Sequence, residues 1–492
     1  MLLGRSFLYT YALLALALSA TSGLASHSER CARLMREQAF RAEQFEELGY
    51  HQASHLPLAT EFLVRGQPVS FETILRRSAR VTLSLGINLQ PGDRLLIVGT
   101  PSHFFNEFEV SYAGILEQEA YSMGARYVER RPHFDESATH RIRYGIDRKS
   151  ATDFPDSERR FYEEIASKKK GWTLIHLDPV SNKFANVFID PDRARVFRDA
   201  QHDLQRPFHE AAFHYRMPWT RVMVPTLEYA VHVDPHSELT NLETLYRVWE
   251  THIKIMGLDY VDPVAHWRKS NAMLGRVAER LEALKIETLR FRTKDGRTDF
   301  EVGIISGCGF IRACDAVDPR GRTFMPNLPS YEIFTWPKMR QVNGRMQTSR
   351  PTRLGQRLIE DLWVEFRDGK VVDFGARVGE HYARDMFRRN GALYTGEVAL
   401  VDTRTPIFKS GLVSGQTIID ENAASHIAVG APYPLTNSKL DPKQHDKHEV
   451  NDSPIHVDLS FGTKDLSVIG IRADGTEVPI MENGKYVSSL TD

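Results

Sequence analysis

His456 and Asp458 lie two residues apart inside an alternating run, Ile455-His456-Val457-Asp458-Leu459. In a β-strand successive side chains point to opposite faces. Ile455, Val457 and Leu459, with Phe461 continuing the row, then face a core, while His456 and Asp458 stand side by side on the other face. A histidine and an aspartate held in that way are a preassembled ligand pair for a borderline cation such as Zn²⁺ or Co²⁺. The competing reading is a solvated polar face on a half-buried strand. What decides between them is whether other segments supply further ligands.

Three upstream segments carry candidates. Asn327–Thr335 (N-L-P-S-Y-E-I-F-T) places Glu332 beside a proline turn, and Gly396–Val401 (G-E-V-A-L-V) places Glu397 at the start of an apolar strand. Asp420–His426 (D-E-N-A-A-S-H) has good helix formers and an acidic start, with Gly430 and Pro432 to end it. His426 is therefore expected near the last turn of a helix, and Tyr433 follows seven residues later. Taken singly, each has an ordinary reading: a surface glutamate, a core histidine, a packing tyrosine.

Other histidine-rich stretches carry less. His209-Glu210-Ala211-Ala212-Phe213-His214 has one residue too many for the H-E-x-x-H zinc helix. A spacing of five turns the second imidazole roughly 140° from the first. Gln444–Glu449 is His-rich but lies in a polar, proline-flanked stretch read as a solvated loop. Lys168–Lys170 reads as a solvated loop, and neither a Walker-type phosphate loop nor a G-x-S-x-G elbow occurs.

The elements that must position these residues fall into two kinds. The 492 residues are 41% hydrophobic and 26% charged, enough for two or more domains with ample cores. Net charge is −1, so no basic field points to nucleic acid. In the first half, apolar strands at Leu95–Val98, Trp172–Ile175 and Arg221–Val224 are separated by helical signals. One of these runs from about Phe108 to Met123, with Gly124 as its cap and Tyr127-Val128 opening the next strand. That alternation predicts an α/β domain with a mostly parallel sheet over residues 26–261, with 147–218 left unplaced. Asp262-Pro263 opens a long helix to about Leu284. Beyond it, Asp295-Gly296, Asp368-Gly369 and Asp474-Gly475 mark hairpins between strand-like runs. Residues 262–492 are therefore expected to form a β-rich, largely antiparallel α+β domain with inserted helices.

At the N-terminus, Arg5 precedes a short apolar run from Phe7 to Leu18, and small residues follow through Ala25. Residues 1–25 read as a Sec-type signal peptide, with Gly23 and Ala25 at −3 and −1. The run is short of the roughly 20 residues that a membrane span needs. Export to the periplasm or medium is the expectation, with no stable membrane insertion after processing. An uncleaved anchor, or an upstream start on a cytoplasmic protein, are the alternatives. Cys31, Cys308 and Cys314 are too few for a disulfide framework. Pairing of Cys308 with Cys314 and free thiols are both open.

Read together, the ligand-bearing segments resemble the thermophilic-type metalloaminopeptidases, the family of aminopeptidase T and aminopeptidase S. That family carries N-x-P-T-E-E-V-F-T, G-E-V-A-L-V, D-E-N-A-[AS]-x-H-x-A-x-G-x-x-Y and N-D-S-x-[IV]-H-x-D segments in this order. They correspond here to residues 327–335, 396–401, 420–433 and 451–458. The resemblance spans roughly residues 85–490 and is strongest after Asp262. It implies that Glu332, Glu397, His426, His456 and Asp458 bind metal, with Tyr433 as ligand or catalytic partner. Two histidines and three carboxylates suit two divalent ions (Zn, Co, or Mg/Mn) with a bridging carboxylate. Spacing does not say which carboxylate bridges. The implied activity of the 262–492 domain is hydrolysis of the N-terminal residue of peptides with a free amino end, with Glu397 handling the proton of an activated water. The implied assembly is a homodimer. A two-metal hydrolase of other amides or esters, and a non-catalytic binding relative, are the alternatives. The chain departs from the family at Tyr331, where members carry the first glutamate of the doublet, and in the His-rich loop before Asn451.

Overall fold

The central strands of the first sheet are apolar on both faces, as strands covered by helices must be. Arg94–Gly99 (β1), Tyr127–Pro132 (β2), Trp172–Leu177 (β3) and Trp219–Val222 (β4) are all parallel. The spatial order is β4-β3-β1-β2, and the short segment Asn327–Leu328 adds a fifth parallel strand beside β4. Leu95, Leu96 and Ile97 at its centre are almost wholly buried. The coordinates are a computed structural model that describes residues 56–99, 111–132, 152–167, 171–177, 191–234, 239–354, 357–432, 450–453 and 455–492. The expected signal peptide, Cys31, Lys168–Lys170, Tyr433 and the Gln444–Glu449 stretch lie outside them.

Helices alternate with these strands: Phe71–Val81 (α1), Tyr112–Ser122 (α2), Asp156–Ala166 (α3), Pro191–Phe213 (α4) and Asn241–Ile255 (α5). Their starts follow local chemistry. Ser70 and Ser111 cap α1 and α2, and Thr240 and Glu243 form a reciprocal capping box on α5. The region left unplaced before residue 218 contributes α3 and α4, on either side of the expected strand β3. β4 begins two residues before the expected Arg221. His209 belongs to α4, its ring beside Gln205 at 3.2 Å and stacked on His202.

The long helix Pro263–Ala283 (α6) starts where its sequence predicts. Asp262 accepts from the Ala265 amide at 2.9 Å, and Pro263 occupies the first turn. Beyond it come the strands Ile286–Arg292 (β5), Asp299–Ile304 (β6), Glu332–Thr335 (β7), Pro337–Gln347 (β8), Trp363–Arg367 (β9) and Lys370–Gly375 (β10). Thr395–Val401 (β11), His426–Gly430 (β12), His456–Ser460 (β13), Ser467–Arg472 (β14), Glu477–Glu482 (β15) and Lys485–Tyr486 (β16) complete the set. All three Asp-Gly pairs lie between antiparallel partners: β5–β6, β9–β10 and β14–β15. At the middle one both residues have positive φ, Asp368 at 49° and Gly369 at 77°.

These strands make two antiparallel sheets, one of eight strands ordered β10-β9-β8-β6-β5-β14-β15-β16 and one of four ordered β7-β11-β12-β13. One apolar core joins them to α6. Leu274, Val277 and Leu281 of the helix meet Leu289, Phe291, Phe300 and Val302 of the larger sheet. Ile333, Val398, Leu400, Ile427, Val429 and Leu459 of the smaller sheet complete it. Phe291, Phe300 and Phe461 pack ring against ring at centroid distances of 4.9–5.1 Å. Cys308 and Cys314 are both free thiols, Cys308 buried with its sulfur 3.1 Å from the Thr335 hydroxyl.

His426 is not on a helix. The helix formers before it make only a short turn, Thr417–Asp420, continued as a single 3₁₀ turn over Glu421–Ala423. The chain is then extended, and His426 opens β12. Pairing with β11 on one side and β13 on the other satisfies the backbone of this segment and overrides its local preference. Gly430 ends the strand at φ +100°, where a Cβ would run into the Ile455 carbonyl oxygen. Gly430→Ala is expected to destabilise the fold by roughly 1–3 kcal/mol, because strain at a positive φ adds to a backbone collision. A lowered denaturant midpoint would show it, and an unchanged one would contradict it.

Candidate metal centre

The four-stranded sheet is apolar on one face and ligand-bearing on the other. Period-two alternation sends Ile333, Val398, Leu400, Ile427, Val429 and Leu459 into the core. The same alternation puts Glu332, Glu397, His426, His456 and Asp458 on the opposite face. Register then brings them together: Glu397 pairs with Ala428, and Ala428 with Asp458, so one rung reads Glu-Ala-Asp across three strands. The neighbouring rungs are Ala399–His426–Ser460 and Gly430–His456. Alanine and glycine between the ligands leave space in front of the sheet. A register shift between Thr395 and Glu397 places a bulge at Gly396 and sets the aim of Glu397.

All five expected ligands converge. His426 Nε2 lies 3.6 Å from Glu332 Oε2, 3.5 Å from Glu397 Oε1 and 3.8 Å from Asp458 Oδ1. His456 Nε2 lies 3.0 Å from Asp458 Oδ1. Two groups have ligand atoms mutually within 4.8 Å: Glu332, Glu397 and His426 in one, and Glu397, His456 and Asp458 in the other. Glu397 belongs to both.

Glu332, Glu397 and His426 are buried. Glu332 Oε2, His426 Nε2 and Asp458 Oδ1 are buried without a hydrogen bond of acceptable geometry. Orphaned polar atoms are costly and uncommon in a folded interior, and three that point at one another suit a cation. The histidines are oriented accordingly. Nδ1 of His426 is 3.2 Å from the Ala424 carbonyl, and Nδ1 of His456 is 2.7 Å from the Ala431 carbonyl. A carbonyl can only accept, so each Nδ1 carries the proton and each Nε2 offers a lone pair to the cluster. This donor set of two imidazoles and three carboxylates fits divalent cations of the Zn²⁺, Co²⁺ or Mn²⁺ kind.

Without a cation, protons balance the charge. Burial pushes the Glu332 carboxyl up to about 8, with the charges of Glu397 and Asp458 adding to it. Burial opposes charge on His426, but Glu397, Asp458 and Glu332 outweigh it and raise that imidazole to about 9. Burial likewise opposes charge on His456, and Asp458 outweighs it, raising this ring to about 10. Asp458 is held down at about 2 by His456, against its own burial.

Glu421 was not among the residues singled out from the sequence. It is buried, lines the same cavity as His456 and Asp458, and belongs to neither ligand group. Asn327 Nδ2 donates to its Oε1 at 2.8 Å. Burial, then the charges of Glu332, Asp458 and Glu397, hold its carboxyl well above the usual range. The D-E-N-A string contained it, but nothing in the local pattern distinguishes it from a helix-starting acid. Tyr331, the position that departs from the expected doublet, points away from the cluster. Its hydroxyl donates to the Ile255 carbonyl at 2.8 Å and its ring packs on Trp267. Adjacent strand positions face opposite ways, so Tyr331 stands in the core while Glu332 reaches the ligand face.

A cluster of two histidines and three carboxylates on a β-sheet, beside a cavity of about 470 Å³, is the donor set of a candidate metal-dependent hydrolase centre. The sequence model of the thermophilic metalloprotease family (M29) matches residues 71–486. The chain belongs to that family. It is 29% identical over 427 residues to aminopeptidase 2 of Geobacillus stearothermophilus, covering 85% of this chain and 99% of the relative. Aminopeptidase T of Thermus thermophilus is 30% identical over 424 residues, with the same coverage. The solved structure of wild-type AmpT from Thermus thermophilus superposes with a TM-score of 0.74 at 28% identity, covering 85% of this chain and all of that one. The expected mixed architecture, a parallel sheet followed by an antiparallel β-rich part with the ligands in it, agrees with that match.

Proposed function

We propose that the protein is an aminopeptidase working with two divalent ions that share Glu397. Its family and the names of its relatives make it a metalloaminopeptidase. The observation that carries the two-ion reading is the pair of three-ligand groups meeting at one carboxylate. Bound there, the ions would supply Lewis acidity, making water nucleophilic near neutral pH and polarising the scissile carbonyl.

The chain's own groups have separate tasks. Glu332 and His426 would hold one ion, His456 and Asp458 the other, and Glu397 both. The carbonyls of Ala424 and Ala431 keep the two imidazoles in the Nδ1–H tautomer. Glu397 was expected to take the water's proton. With its oxygens engaged by both sites, Glu421 is the better holder of that proton, since its Oε1 is fixed by Asn327 and its burial favours the protonated carboxyl. Tyr433, seven residues after His426, is kept as the candidate donor to the developing oxyanion. Acidic side chains around the cavity would also receive the substrate's free ammonium group. Among the described residues no helix is long and apolar enough to cross a membrane. Export through residues 1–25 and a homodimeric assembly complete the proposal; N-terminal sequencing and sedimentation check them.

The test compares leucyl-anilide with its N-acetyl analogue. Loss of the ammonium group should lower kcat/KM by roughly a hundredfold or more, since a polar site left unpaired discriminates strongly. Cleavage of only the blocked substrate would point instead to a hydrolase of other amides or esters.

A further inference from the structure

The cavity in front of the candidate metal centre is lined by groups of both signs: Asp420, Glu421, His456 and Asp458 together with Arg353, Arg357 and Arg389. Arginine beside a site is commonly neutralised by a neighbouring carboxylate, and the protein has many such pairs. These three are poorly supplied. Arg353 Nε is buried without a hydrogen-bond partner, although desolvating a guanidinium is costly unless an anion meets it. Asp420, whose charge Arg353 influences, is committed to the amides of Ser414 and Gly415 at 2.7 Å each. Among the described residues the one ion pair of Arg357 is with Asp385, at 4.0 Å and with both side chains half exposed. Among the described residues Arg389 has no ion pair at all.

The placement of Arg353 is built in. It extends from the small hairpin Thr352–Leu354/Arg357–Ile359 and passes over Gly415. A Cβ at Gly415 would stand 3.0 Å from Arg353 Cδ and 3.0 Å from His232 Nε2, at a backbone φ of +73° that disfavours any other residue.

We infer that these arginines of the cavity lining, Arg353 and Arg389 foremost, bind a carboxylate of the peptide substrate and so set specificity. The inference rests on the aminopeptidase reading and deepens it. A volume of 470 Å³, taken as a sphere, is about 10 Å across, and an extended chain advances about 3.5 Å per residue. A substrate whose ammonium end lies at the acidic groups of the lining is therefore within two or three residues of the arginines. The carboxylate at that distance is either the C-terminus of a di- or tripeptide or an acidic side chain near the N-terminus. Guanidinium recognises both with the same paired N–H···O geometry.

Two substrate pairs separate these sources: Leu-Gly against Leu-Gly-amide, and glutamyl- against glutaminyl-anilide. The wild-type protein is expected to favour the carboxylate-bearing member of at least one pair by about tenfold or more in kcat/KM, as hydrogen bonds to charged groups do. The winning pair identifies the source. In the Arg353→Met/Arg389→Met double variant the ratio should fall to near one, and Arg389→Lys should keep part of it. The ratio is taken within each protein, so a folding defect common to both substrates cancels. No preference in the wild type, or a preference that survives the double variant, overturns the inference. Calorimetric binding of the same pairs reads the arginines without turnover. A protein that binds the carboxylate preferentially but cleaves nothing would refute the peptidase reading and leave this one standing.

Discussion

Replacing Glu397 with alanine is expected to lower kcat/KM by at least about 10³-fold and to remove both metal equivalents together. Loss of a group that merely orients a ligand already weakens metal binding by about 10–100-fold. Glu397 is itself a member of both ligand groups, so its removal acts on two ions at once. Glu332→Ala removes a member of one group only, and one ion should remain, held by Glu397, His456 and Asp458. The contrast is the informative part. Metal analysis of the two purified variants should read near zero for Glu397→Ala and near one for Glu332→Ala. Equal losses in both, or full activity in Glu397→Ala, would refute the shared-carboxylate arrangement. Glu397 is buried in a strand whose other face is core, so thermal unfolding of each variant should be recorded alongside.

The second large effect concerns metal removal and pH together. Stripping the ions with a chelator should abolish activity. At ion concentrations about a thousandfold above Kd it should also cost about 4 kcal/mol of stability per ion by mass action. The metal-free protein should then depend on pH in one direction. His456 and His426 are raised to about 10 and about 9, above the ordinary imidazole value of 6.5. Their contribution is fully present below pH 6.5 and is lost as pH rises through 9 and 10. Glu332, raised to about 8 from 4.5, also retains its proton in the folded state and pulls stability down between those values. Asp458 runs the other way, but its stabilisation fades only below pH 3.8, towards about 2. The metal-free form should therefore be most stable in mild acid and weaken from about pH 5 to 10. Ions compete with the same protons, so their binding tightens over that range. The melting-temperature gap between metal-loaded and stripped protein should widen from pH 6 to pH 9. A constant or narrowing gap would mean that these imidazoles and Glu332 do not titrate with the metal.

The strand pair was legible because the period-two alternation at 455–459 is the same in sequence and in space. That His456 and Asp458 face away from the core could be assigned from Val457 and Leu459 alone. The hairpins at the three Asp-Gly pairs were legible for a similarly local reason, a turn that asks for positive φ. His426 was placed on a helix because Glu421, Ala423 and Ala424 favour one locally. The partners that make it a strand, β11 and β13, lie some 25 to 30 residues away on either side. The alternation of His426, Ala428 and Gly430 with Ile427 and Val429 was present in the string, but it spans only five residues. Glu421 owes its position to the burial of a single 3₁₀ turn, which no spacing rule anticipates. Arg353 and Arg389 come from segments without any motif, and only the fold brings them to one cavity.

The strand β12 has a consequence for how errors are avoided. It supplies His426, and the carbonyls just before and just after it orient both imidazoles. Sliding it by one residue would turn Ile427 and Val429 towards the carboxylates and drive His426 into hydrocarbon. On the proposed two-ion reading, such a slip would take His426 out of its ligand group and move the Ala431 carbonyl that orients His456. If ions bind as proposed, their binding would proofread the pairing of the sheet: a misaligned copy would lack the full ligand set, and only the correctly paired chain would gain the stability that the ions confer.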